Sequence, residues 1–325
     1  MNVLINVFIF ILVLFLYIHI NHQFKRSEDL EIYEMDFTTN KNLQEICELK
    51  QPVLFEYKPF HNEFFDNVTV DVIEQQSSLD VKIKDVNDYF NEDANIDYVV
   101  LPLQSARTLM TTDTRSNYFT ENNEDFIEEA GLYNEFFENN FYLKPDLTVQ
   151  TKYDILMGSN GATTPLRYHS HYRQFFCVNS GKIHVKMTPW KSSKHLNPIK
   201  DFENYEFRSP INVWKPQREY ANRMDKLKFL EFDVHEGFVL YVPPFWWYSI
   251  KFSNERDNLV SGITYNSIMN CISNIPNYGL YYLQQSNIKK RVAKVLEIPE
   301  KEPDEIVSET VPESETVSDA QQGQI

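Results

Sequence analysis

Gly237-Phe238-Val239-Leu240-Tyr241-Val242-Pro243-Pro244-Phe245-Trp246-Trp247-Tyr248 is the stretch whose reading decides the fold. A glycine turn opens it, an apolar strand follows, two prolines bend the chain, and a tryptophan-rich strand leaves the bend. Two strands therefore meet at a corner that redirects the backbone. Upstream, Thr164-Pro165-Leu166-Arg167-Tyr168-His169-Ser170-His171-Tyr172-Arg173-Gln174-Phe175-Phe176 runs on to Gly181-Lys182. From Tyr153 onward the short runs broken by Gly, Pro and Asn predict an all-β region. If Leu166 to Phe176 is extended, Arg167, His169, His171 and Arg173 share one face, because residues of equal parity do so in a strand. In a closed sheet that face lines the interior or meets solvent. Imidazoles at i and i+2 can converge on one cation, and a solvated face with incidental histidines reads the same way.

Toward the amino terminus, Val3 to Ile20 is an almost unbroken apolar run of 18 residues. As a helix it extends about 27 Å, against a hydrocarbon core of roughly 30 Å. No Lys or Arg precedes the run and no small-x-small pattern follows it, which favours an uncleaved single-pass anchor over a signal peptide. Lys25 and Arg26 just after it favour a cytosolic body, whereas the sequon Asn67-Val68-Thr69 favours a luminal one. Beyond the anchor, Thr39 or Asn40 caps a helix through Leu49, and residues 52–57, 81–84 and 98–101 read as strands. Phe126 to Phe141 carries apolar residues at helical spacing, and Tyr278 to Leu296 reads as a closing helix able to pair with a second copy.

Residues 297–325 differ in composition: nine acidic residues against Lys301 contribute −8 of the net −16, with three prolines and no aromatic residue. Such a segment cannot bury enough apolar surface to offset its ordering entropy, so it reads as a disordered acidic tail. The resulting organisation is an anchor over 1–24, one domain over 25–296 with its barrel at about 150–268, and the tail. The acidic balance and the lack of a basic stripe argue against a nucleic-acid partner. Cys47, Cys177 and Cys271 form neither a disulfide framework nor a Cys-x-x-Cys metal pattern.

Together these segments resemble the cupin superfamily, and within it the JmjC and asparaginyl-hydroxylase-like oxygenases that use Fe(II) and 2-oxoglutarate. The matching residues are Thr164-Pro165-Leu166, Phe175-Phe176, Gly181-Lys182 and Gly237 to Trp247, joined by Lys50-Gln51-Pro52-Val53-Leu54-Phe55 and Ser209-Pro210-Ile211-Asn212-Val213-Trp214. The resemblance implies a mainly β fold with flanking helices, a double-stranded β-helix of cupin or jelly-roll type. It also implies a metal held by two histidines and a carboxylate. Here the first His position holds Arg167, the Asp position His169 and the distal His position Tyr248. A guanidinium stays protonated and has no lone pair to give. Shifted by two residues, His169 and His171 fall on the ligand positions, with Gln174 near the place of a Glu, so the candidate metal set is His169, His171, Tyr248 and Gln174. Thr164, Arg167, Lys182 and Lys186 are the candidates for 2-oxoglutarate or another anion. Lys182 follows Gly181 one residue early, which turns it toward the opposite face.

Two functional expectations follow. The substitutions point first to a membrane-anchored module that binds a ligand or partner and has lost ordinary Fe(II) chemistry, with no cofactor needed. The alternative is an active dioxygenase or protein hydroxylase with a non-standard metal on His169 and His171. A scaffold whose acidic tail recruits a basic partner is a third reading.

Overall fold

The structure is a computed structural model that describes residues 2–91, 96–254 and 257–287. Its strands are β1 (Tyr33–Asp36), β2 (Val53–Glu56), β3 (Asp80–Asp85), β4 (Tyr98–Pro102), β5 (Tyr118–Thr120), β6 (Thr148–Gly158), β7 (Arg167–Tyr168), β8 (Arg173–Ser180), β9 (Lys182–Thr188), β10 (Ile199–Asp201), β11 (Glu206–Arg208), β12 (Leu230–His235), β13 (Phe238–Val242), β14 (Trp247–Phe252) and β15 (Leu259–Ser267). They form two sheets, ordered β1-β2-β13-β8-β15-β6-β5-β3-β4 and β10-β11-β7-β14-β9-β12. The chain shuttles between them: β6, β8, β13 and β15 lie in the first, and β7, β9, β12 and β14 in the second. This alternation is the double-stranded β-helix. The inward residues of both sheets, among them Leu156, Phe176, Ile183, Leu240, Trp246 and Ile250, form one buried cluster. Alternation along each strand supplies them, since every second side chain faces the same way.

Local chemistry sets the turns. Gly181 joins β8 to β9 at φ +75°, and a Cβ there would lie 2.7 Å from Asn258 Oδ1. Only glycine fits this hairpin without a shift of its neighbours. The Pro243-Pro244 bend separates β13 from β14, and Trp246 behind it donates its indole N–H to the Lys50 carbonyl at 3.0 Å. That bond ties the corner to the segment leading into β2.

Helix α1 (Asn2–Gln23) contains the apolar run, and Val3–Gln23 is long and apolar enough to cross a membrane. Helix α2 (Asn40–Cys47) begins where its cap requires, with the Thr39 hydroxyl accepting from the Asn42 N–H at 3.2 Å. The single helix expected over Phe126–Phe141 is instead three short helices, Glu124–Glu129, Tyr133–Glu138 and Asn140–Leu143. Gly131 at φ +71° ends the first of them, and Leu132 N–H closes back on Ile127 O, so the backbone reverses where the apolar spacing still looked helical. The closing helix spans Ile275–Asn287. Residues 288–296 of that reading and the acidic tail lie outside the described residues.

Leu166 to Phe176 is not one strand. It breaks between β7 and β8, with His169 to Tyr172 in irregular backbone. Arg167, His169 and His171 line a cavity, but so do Gln174 and Phe176, whose parity is opposite. The extra residue in the break reverses the alternation, and Arg173 faces the other side of the wall.

Candidate functional site

The cavity, about 360 Å³, opens at one end of the barrel and is bounded by β3, β6, β7, β8, β11, β14, β15 and the loop after β5. Arg167 and Tyr248 are paired across β7 and β14, so their side chains stand together at its base. The Arg167 guanidinium makes a bidentate ion pair with Glu121, at 2.8 and 2.5 Å, and reaches Glu206 at 3.1 Å. Lys84 Nζ joins the same Glu121 carboxylate at 2.8 Å. The centre therefore holds two cations and two carboxylates, all nearly out of solvent. Burial opposes ionisation of Glu121, yet Arg167 and Lys84 outweigh it and hold the carboxyl well below its usual range. Burial likewise disfavours charge on Lys84 and Arg167, and Glu121, Glu206 and a neighbouring tyrosine (Tyr89 for Lys84, Tyr248 for Arg167) together outweigh it, raising both pKa values. Each charge is kept by its partner.

The two imidazoles lie in the break between β7 and β8, 5.4 Å apart between centroids. His169 Nδ1 accepts the backbone N–H of His171 at 3.1 Å, so its proton is on Nε2, which donates to Val242 O at 3.1 Å. Neither nitrogen has a lone pair left for a metal. His171 Nδ1 donates to Asn266 Oδ1 at 3.2 Å, leaving the Nε2 lone pair. Burial and then the nearby Lys152 charge lower the His171 pKa to about 4, so the ring is neutral. Tyr248 accepts a hydrogen bond from Gln174 Nε2 at 3.3 Å, and burial, opposed by Arg167, raises its pKa. It stays a phenol. Gln174 Oε1 is buried without a hydrogen-bond partner.

Of the residues singled out from sequence, Arg167, His169, His171, Gln174 and Tyr248 line the cavity, and Thr164, Lys182 and Lys186 do not. Thr164 is consumed structurally: its Oγ1 accepts the Ile250 N–H at 2.9 Å, stitching the segment before β7 to β14. Lys182 and Lys186 alternate with the buried Ile183, Val185 and Met187 and project from the outer face of the second sheet. There Lys182 lies 3.6 Å from Asp233, and Lys186 2.9 Å from Glu231. Sequence reasoning missed Lys84, Glu121, Glu206, Lys152 and Asp154, which also line the cavity. Asp154 accepts the backbone N–H groups of Asn122 and Asn123 at 2.9 and 2.8 Å, fixing the loop that presents Glu121. Burial, against those hydrogen bonds, raises its pKa to about 7.

An iron site of two histidines and a carboxylate does not fit this donor set. The first position is a guanidinium, the second an imidazole with both nitrogens engaged, and the third a neutral phenol. Among the described residues no group of three or more His, Cys, Asp or Glu side chains is arranged to hold a metal ion.

A family-wide sequence model of the cupin-like domain matches residues 31–271, most of the chain. The JmjC domain-containing protein D of Dictyostelium discoideum is 26% identical over 95 residues, which make up 29% of this chain and 21% of that protein. The matched part thus spans about a fifth of that relative's length. The family typically uses Fe(II) and 2-oxoglutarate. With the alternating sheets, the corner at Pro243-Pro244 and the match over residues 31–271 all on one chain, this protein belongs to the cupin-like domain family, of JmjC-like type.

Proposed function

We propose that the chain is a membrane-anchored cupin-like module that binds a ligand or partner at the barrel mouth without ordinary Fe(II) catalysis. The observation that carries this reading is Arg167, whose guanidinium stands at the first ligand position and is neutralised there by Glu121 and Glu206. A permanent organic cation fills the role a metal would have in balancing charge. The same balance disfavours a dicarboxylate cosubstrate, because each deep cation already faces a carboxylate. What is left open at the base is acceptor capacity, Gln174 Oε1 and the Nε2 of His171, which suits a polar ligand that donates N–H or O–H groups.

The test is metal and turnover analysis of the full chain purified in detergent, loaded anaerobically with Fe(II) for the metal count and then exposed to air with 2-oxoglutarate for turnover. The expected result is no stoichiometric iron and no succinate from 2-oxoglutarate. Stoichiometric iron with succinate formation overturns the reading. The anchor is tested separately by alkaline carbonate extraction, which leaves an integral protein in the membrane pellet and releases a peripheral one.

The alternative of an active oxygenase rests on the His171 Nε2 lone pair directed at the cavity. Under it, replacing His169 and His171 with Ala abolishes metal binding; under the binding-module reading, the metal content of the double variant matches that of the parent. Homodimerisation through Ile275–Asn287 belongs to the proposal too, on the exposed Leu280, Tyr282 and Leu283 of that helix. Sedimentation of the Leu280→Glu, Leu283→Glu variant in detergent tests it.

A further inference from the structure

We propose that the end of the barrel beside α1 is itself seated in the bilayer interface, through Leu147, Val149 and Ile268. The inference rests on the anchor reading and goes beyond it, from how the chain is tethered to which surface meets lipid. Val3–Gln23 is 21 residues. At 1.5 Å per residue that is about 31 Å, close to the thickness of the hydrocarbon core, so the helix has no length to spare. Yet its last two turns run alongside the domain. Leu16 and Ile20 are half-buried and Gln23 is buried, one stripe at helical spacing, and α1 lies against the helix Ile268–Ser273. The seven rises from Leu16 to Gln23 place about 10 Å of the domain's edge at the depth of the headgroups and the outermost acyl carbons.

The residues found at that edge suit lipid. Ile268 is 41% exposed, and its N–H bonds to Leu147 O at 3.1 Å, which brings the turn before β6 to the same place. Leu147 is 73% exposed and Val149 58%. Leu147 also sits at φ +58°, where Gly or Asn would be unstrained and better hydrated. A bulky apolar side chain held in the left-handed region, pointing outward, is poorly explained by contact with water. No charged residue occurs from Leu259 to Asn287, a stretch that includes the helix lying against α1. The exposed Asp146 beside Leu147 limits the depth to the headgroup layer. His22 Nε2 lies 3.5 Å from Glu48 Oε2, so the end of α1 also approaches the loop after α2.

The experiment uses the full chain in phosphatidylcholine vesicles. Cys47 and Cys177 are buried and Cys271 is half-buried, so the background is Cys271→Ser. Single reporter cysteines at Leu12, Leu147, Ile268 and Val100 carry an environment-sensitive fluorophore, with and without lipids bearing spin-label quenchers at both shallow and deep acyl positions. Val100 is exposed on β4, which pairs through β3 and β5 with the far end of β6. The expected result is loss of emission at Leu12, Leu147 and Ile268 and none at Val100. Quenching at Leu12 with Leu147 and Ile268 unaffected overturns this proposal and leaves the anchor standing. No quenching at Leu12 overturns the anchor and the proposal together. Emission at Leu147 and Ile268 that ignores the quencher but follows protein density in the vesicle assigns the face to a second copy and likewise overturns it.

Discussion

Arg167 and Arg173 lie six residues apart on one segment, both buried, yet one faces into the barrel and the other out through its wall. Arg173 has no exposed surface. It bonds Glu48, donates Nε to Gln44 Oε1 at 2.9 Å and Nη1 to Tyr172 O at 3.0 Å, and stacks over the Tyr172 ring at 4.0 Å. Lys50, at φ +58°, adds a second cation 3.4 Å from Glu48. Burial lowers the Lys50 pKa to about 8, while Arg173 and Lys50 overcome burial at Glu48 and hold it at about 2. The partners belong to α2, the segment just after it and Tyr172 at the entry to β8, so this cluster is a joint between helix and barrel. The Arg167 cluster has a similar composition but borders a cavity. The difference teaches that charge content alone does not mark a site: one ionic group closes a seam, and the other forms the floor of an opening.

The largest expected effect is from Arg167→Leu. It leaves Glu121 and Glu206 nearly inaccessible, Glu121 with the Lys84 ammonium and Glu206 with the Tyr89 hydroxyl but without its cation. Removing one partner of a buried ionic group costs about 3–5 kcal/mol. For a domain of this size the melting temperature should fall on the order of 10 °C, read by thermal unfolding in detergent. Arg173→Leu is the matched perturbation. Glu48 keeps a side chain 35% exposed and can rehydrate, so the expected loss is smaller, about 2 kcal/mol. Amide exchange across Asn40–Cys47 should speed up in this variant alone, since Gln44 Oε1 loses the Arg173 donor that ties α2 to the barrel. If Arg173→Leu costs more than Arg167→Leu, the distinction between joint and floor collapses.

A pH series sharpens the same contrast. The carboxyl of Glu121 ionises at lower pH in the folded chain than its ordinary 4.5, burial notwithstanding, because Arg167 and Lys84 hold its charge. A depressed acid stabilises fully above its unfolded value and progressively less below it. The melting-temperature gap between the parent and Glu121→Gln should therefore be constant above about pH 5 and narrow as pH falls through 4.5. A gap that widens on acidification would mean that Glu121 is not held ionised by this pair.

The barrel was legible because its signals are local. Gly181, Gly237 and Pro243-Pro244 set turns whatever surrounds them, and Lys182, offered as an anion ligand although it follows Gly181 one residue early, lies on the outer face of β9. Part of the cavity was legible for the same reason, since Arg167 and Tyr248 fall on motif positions. The rest was not. Glu121 comes from a turn after β5 and Lys84 from a strand remote in sequence, and nothing periodic announces that they meet Arg167. The placement of Arg173 failed because parity assumes an unbroken strand, and the irregular backbone at His169 to Tyr172 carries no glycine or proline to flag it.

The smallest expected effect returns to the lysines that sequence offered as anion ligands. Lys186 pairs with Glu231, whose side chain is 58% exposed, and its ammonium lies 4.8 Å above the Trp214 ring on the outer face. An exposed ion pair contributes roughly 0–1 kcal/mol and a surface cation–π contact a similar amount. Lys186→Gln should therefore shift stability by no more than about 1 kcal/mol and leave any ligand bound in the cavity unaffected. Lys84→Gln, by contrast, strips a cation from Glu121 inside the cavity and should weaken both folding and binding. Equal effects from the two lysines on ligand affinity, measured by calorimetry once a ligand is in hand, would move the binding surface from the barrel mouth to its outer wall.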